Sequence, residues 1–158
     1  MEITHTAIFK GVVVTAQQDL FEVKGPSNCT TRIHGFVLSQ ETEIGDAQEE
    51  MLRLTINRGQ STMASGSGGT TLTPAPRRRG DPAFGGTVEA NNTTILSGSP
   101  DLTEQLEAHT WNERVPYIFW WTPEARPLIL ASEFWTLRLE TTPADALTVN
   151  GTLYLETV

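Results

Sequence analysis

Between positions 51 and 59 the chain reads MLRLTINRG, with Leu52, Leu54 and Ile56 alternating against Arg53, Thr55 and Asn57. Successive side chains of a strand point to opposite faces, so this alternation specifies a strand buried on one side. The period returns in FWTLRLET, where Trp135, Leu137 and Leu139 oppose Phe134, Thr136 and Arg138, and in GTLYLET, where Leu153 and Leu155 face inward. Further strands are predicted over 3–10, 19–23, 32–39, 93–97, 104–111, 117–121 and 128–132, with His34, Phe36 and Leu38 sharing one face of the third of these. Roughly nine or ten short strands separated by turn formers indicate an all-β, antiparallel two-sheet sandwich, jelly-roll-like in character. The turn-rich TPADALTVNG predicts that the strands on either side of it lie near each other, with Asn150-Gly151 marking a tight turn or a bulge.

One segment competes for helix. In SPDLTEQLEAHTW, Ser99 can cap, Pro100 can be the first helical residue, and Leu102 and Leu106 have helical spacing, whereas His109-Thr110-Trp111 favours a strand. The acidic QETEIGDAQEE reads as a polar loop.

A chain of 158 residues is expected to form a single domain over 1–158, large enough to bury a core without disulfides. At 38% hydrophobic and 19% charged it reads as a soluble globule. The net charge of −8 argues against a nucleic-acid partner, because phosphate backbones are met by clustered Lys and Arg. Cys29 is the single cysteine, so no intrachain disulfide forms and folding in the cytosol is expected. The N-terminal MEITHTAIFKGVVVTAQQ has no basic region followed by a long apolar stretch, so neither a signal peptide nor a membrane partner is expected. The Asn-X-Thr triplets at 28, 91, 92 and 150 are then chance matches to a glycosylation sequon.

Chemistry-bearing motifs give no enzymatic reading. His5, His34 and His109 are far apart in sequence and outside any metal-ligand spacing, so no metal or cofactor is expected. There is no nucleophile elbow and no phosphate-binding loop; SGSGG lacks the Lys-Ser/Thr and helix that a phosphate cradle needs. Nothing singles out two of the 19 carboxylates as a catalytic pair.

Two stretches remain. Residues 59–86, GQSTMASGSGGTTLTPAPRRRGDPAFGG, form one long Gly/Ser/Pro-rich loop, and connections of this length without secondary structure are usually functional or disordered. Fully extended, the segment would reach roughly 90 Å, enough to cross a subunit boundary. It is either a mobile surface loop or an arm in which Arg77, Arg78 and Arg79 meet carboxylates of a partner and Phe84 packs as an apolar anchor. Its Arg79-Gly80-Asp81 string is an adhesion-type tripeptide of a kind common by chance. The second stretch, WNERVPYIFWWTPEARP, places Trp111, Tyr117, Phe119, Trp120 and Trp121 within eleven positions. Alternation puts Tyr117, Phe119 and Trp121 on one side and Ile118 and Trp120 on the other. The stretch reads as core plus oligomer interface, or as an aromatic platform for sugar rings. Pro116, Pro123 and Pro127 keep the strand short.

The succession VVVTAQQDLFEV, GFVLSQETEIGDAQEEMLRLTINRG, the Gly/Ser/Thr/Pro-rich loop, VEANNTTI, WNERVPYIFWWTPEARP and LRLETTPADALTVNGTLYLET resembles small β-sandwich virion proteins of tailed bacteriophages. The LSQ…GDAQEE…LR block and the PADALTVNGTLYLE ending carry the resemblance most specifically. It implies an oligomeric capsid decoration or cement protein on the phage head exterior, made in the bacterial cytoplasm, with the major capsid protein as partner. A homotrimer would suit three-fold positions of an icosahedral shell. The alternative is a carbohydrate-binding module of a phage fibre or receptor-binding apparatus.

Overall fold

The computed structural model describes residues 3–42, 49–98 and 103–158. Its strands are β1 (Ile3–Val14), β2 (Gln18–Lys24), β3 (Thr31–Gln40), β4 (Met51–Gly59), β5 (Thr70–Leu72), β6 (Ala75–Pro76), β7 (Thr87–Asn92), β8 (Thr103–Asn112), β9 (Tyr117–Trp120), β10 (Leu128–Ile129), β11 (Phe134–Leu139) and β12 (Leu147–Thr157). They form two antiparallel six-stranded sheets, and there is no helix among the described residues. The first sheet runs β10-β3-β12-β1-β6, with β9 also paired to β3; the second runs β5-β7-β2-β11-β4-β8. The chain shuttles between them, so that β12 inserts between β1 and β3 while β11 inserts between β2 and β4.

The alternation read from the sequence decides which residues fill the space between the sheets. Leu52, Leu54 and Ile56 of β4, Trp135, Leu137 and Leu139 of β11, and Leu153 and Leu155 of β12 are all buried in one continuous core with Phe21, Phe36 and Trp111. The segment 104–111 is a strand, with Leu106 exposed on its outer side; the helical start at 99–102 lies outside the described residues, as do 43–48 of the acidic loop.

Three expectations change. The strands around TPADALTVNG do not pair: β11 lies between β2 and β4, whereas β12 belongs to the other sheet. Asn150-Gly151 is inside β12, and the bulge is opposite it in β1, between Phe9 and Val12. There the left-handed Gly11 (φ 64) donates its N–H to Asn150 Oδ1 at 2.8 Å. His34 does not share the face of Phe36 and Leu38. The β3–β12 register shifts at this point, Ile33 takes the buried position, and His34 joins Arg32 on the Glu156 carboxylate.

Segment 59–86 is an ordered part of the sandwich. It contributes β5 to the second sheet and β6 to the first, and it makes isolated bridges Ala64–Ser97 and Ser67–Thr94. Because this segment covers the outer side of β11, Phe134 and Thr136 are buried as well as the alternating residues between the sheets. Phe134 packs with Met63 and Leu96 in a small second core.

The Phe9 ring lies over Gly151, where an added Cβ would sit 2.3 Å from a ring carbon. Gly151→Ala is therefore expected to destabilise the protein by about 1–3 kcal/mol through overpacking, measured as a lower urea midpoint with an unchanged m-value.

Candidate functional site

The polar residues of β2 fix where the long segment goes. Asp19 and Glu22 are buried carboxylates on the second sheet. Glu22 accepts hydrogen bonds from the Ser65 hydroxyl, from Gly66 N–H at 2.9 Å and from Asn92 Nδ2. Asp19 accepts from Leu96 N–H at 2.7 Å and from Arg138 Nε at 2.6 Å. Burial pushes both carboxyls above their usual range; hydrogen bonds, and for Asp19 the Arg138 charge, offset this in part. Each carboxylate thus accepts a backbone N–H of the covering loops that burial removes from water.

Beyond β5 the covering segment crosses to the first sheet. His5 Nε2 lies 3.1 Å from Pro82 O, and Arg77 N–H donates to Thr4 O at 2.8 Å. Phe84 is 3% exposed, in edge contact with the His5 ring, so it anchors the segment into this chain's own core and is not available to a partner. Arg77, Arg78 and Arg79 are exposed on a turn closed by Asp81 N–H donating to Arg78 O, with Gly80 left-handed at φ 95. None of the three forms an ion pair with another described residue.

The aromatic stretch divides as alternation requires. Tyr117 and Phe119 pack inward on Phe36, and Trp111 and Trp121 are buried, their indole N–H groups donating to Val115 O and Glu107 Oε1. Trp111 and Trp121 therefore belong to the core and cannot form a sugar platform or an outer contact surface. Trp120 is 51% exposed. Its indole lies over Gly35, where a Cβ would come within 2.9 Å of the ring, and its centroid is 4.7 Å from that of Tyr154. The Arg77 guanidinium stands over the Tyr154 ring, 6.0 Å from its centroid. A parallel row crosses the same outer face through Ile118, Val37, Thr152 and Ile8, with Ile118 and Ile8 mostly exposed.

The outer face of the first sheet thus joins two aromatic side chains and two exposed isoleucines to an arginine turn. Alternation alone groups Ile118 with Trp120. Tyr154 and Ile8 join them only through the order β9-β3-β12-β1, which brings distant segments side by side.

The histidines remain separate. His109 lies between the Glu107 carboxylate and the Tyr117 hydroxyl, at 2.9 Å from each, where the edges of the two sheets meet. Burial, and secondarily the Glu107 charge, pushes the Tyr117 phenol above its usual pKa, which opposes any use as a nucleophile. Among the described residues, no group of three or more His, Cys, Asp or Glu is placed to hold a metal ion. Comparison of the chain with protein-family models, with curated proteins and with solved structures gives no match.

A carboxyl whose pKa is higher folded than unfolded binds its proton more tightly in the native state. The stabilisation is complete below the unfolded pKa and disappears as pH rises through the folded value. For Glu22, denaturant stability is expected to fall as pH rises from the ordinary carboxylate range through the raised pKa. Glu22→Gln should remove that part of the pH dependence, as read from urea midpoints across pH.

Proposed function

We propose that the protein is a structural, non-enzymatic binding module that docks onto a carboxylate-bearing protein surface through the outer face of its first sheet. The observation that carries this reading is the continuity of the outward-facing pair Trp120–Tyr154, its indole half exposed, with the turn Arg77–Arg79. Aromatic and arginine side chains supply most of the binding energy of protein interfaces, and the pairing of Trp120 with Gly35 and Tyr154 holds the indole in place before any partner arrives. On a chain of net charge −8, an exposed arginine cluster selects an acidic partner and rejects a basic one.

The sequence resemblance supports the surface of a phage capsid as that partner, with the protein acting as an oligomeric decoration protein and the trimer as the assembly that fits a three-fold position. The strand orders β9-β3-β12-β1 and β2-β11-β4-β8 support a jelly-roll winding, in which β7 and the short β5 extend one edge. Recognition of a glycan is the second reading, favoured by the exposure of Trp120 alone among the tryptophans of its segment.

Light scattering and co-sedimentation with capsids lacking the protein test the first reading. Wild type is expected to be oligomeric and to sediment with capsids. Ile118→Ser with Trp120→Ala should weaken capsid binding by about tenfold or more. Arg77→Glu, Arg78→Glu and Arg79→Glu together should weaken binding and flatten its salt dependence. Wild-type binding by both variants would remove the face from the interface, and glycan binding lost on Trp120→Ala would favour the second reading.

A further inference from the structure

A cleft of about 340 Å³ opens between the sheets at the edge where β1 faces β5 and β7, away from the Trp120 face. Its origin is the bulge in β1: the extra residue at Gly11 bends the strand, while the left-handed Gly68 and Asn91 turn the opposite wall. Of the two described non-glycine residues with positive φ, Asn91 lies in this cleft. Phe9 and Leu72 give it an apolar floor.

Its polar lining is unusual. Gln18 and Asn91 are 3% and 7% exposed, and Gln18 Nε2 donates to Asn91 Oδ1 at 2.8 Å. That bond uses one donor and one acceptor of the pair. Gln18 Oε1 and Asn91 Nδ2 make no hydrogen bond with another described residue, although both side chains line the cleft. Neither atom is sealed from water, so the pair presents one acceptor and one donor to the cleft, which matches a ligand hydroxyl that can both give and take a hydrogen bond. Thr93 adds a hydroxyl to the wall, and Lys10, exposed and with no ion pair among the described residues, stands at the rim within reach of a ligand carboxylate.

We infer that this cleft binds a single pyranose ring bearing a carboxylate, a uronic acid residue. The ring's C–H face rests on Phe9 and Leu72, its hydroxyls meet Gln18 and Asn91, and its carboxylate meets Lys10. Binding here is independent of the docking face and stands or falls separately from it.

An NMR titration of the full chain with glucuronate, with glucose as the uncharged comparison, tests the inference. Amide shifts are expected at Phe9–Val13, Gly68–Leu72 and Ala90–Thr93, and glucose should bind more weakly. Asn91→Gly keeps the left-handed backbone while removing the amide, and should abolish binding in a chain whose spectrum otherwise stays dispersed. Lys10→Gln should weaken glucuronate by about tenfold. Shifts absent from these three segments, undiminished binding by Asn91→Gly, or equal affinity for glucose and glucuronate would overturn the assignment.

Discussion

The arrangement depends on two carboxylates that are removed from water. Asp19 and Glu22 lie on a strand whose other face fills the core, and a buried carboxylate is tolerable only when donors surround it. The donors come from Gly66 and Leu96, in loops separated by β5, β6 and β7. Satisfying these carboxylates therefore closes the covering loops over the second sheet and determines where the chain emerges. Before it returns to β7 the chain passes the rim of the first sheet, where β6 pairs with β1 and Arg77 comes to stand over Tyr154. One continuous segment thus covers the polar face of the second sheet and carries a charged group to the outer face of the first.

Most of the framework could be read from single strands. Period-two alternation in β4, β11 and β12 identified their buried residues because it depends only on the pleat. Alternation also divided Tyr117, Phe119 and Trp121 from Ile118 and Trp120, although it could not show that Trp121 would be sealed in the core. What remained hidden depended on pairing. His34 looked inward because a bulge shifts the phase of β3 without leaving a mark in local sequence. Segment 59–86 looked like an arm because glycine, serine and proline are read as loop formers, whereas its order comes from Glu22 and His5, which are distant in sequence. Phe84, apparently a lone apolar residue on a polar excursion, is the point at which that excursion rejoins the core.

The two outer faces show opposite solutions to the same geometry. The outer face of the second sheet is largely polar and is covered by its own chain, with Asn57, Thr55 and Thr136 bonded among themselves beneath the cover. The first sheet leaves Ile8, Ile118 and Trp120 uncovered. A chain that lays its own segment up to β5 over the second sheet has left the more apolar face open, which is the distribution expected when a partner supplies the cover.

The strands at the sheet margins have a further consequence. β9 has four residues and is bounded by prolines, β10 and β6 have two each, and β5 has three. A short margin offers a neighbouring chain few free backbone groups to pair with; of the longer ones, β8 carries Glu104 and Glu107, whose charge discourages a second copy, and the part of β1 beyond Thr6 is broken by the bulge at Gly11. Molecules built this way can be crowded side by side at high local concentration without joining edge to edge into fibres, so contact between copies is left to side chains and remains open to selection.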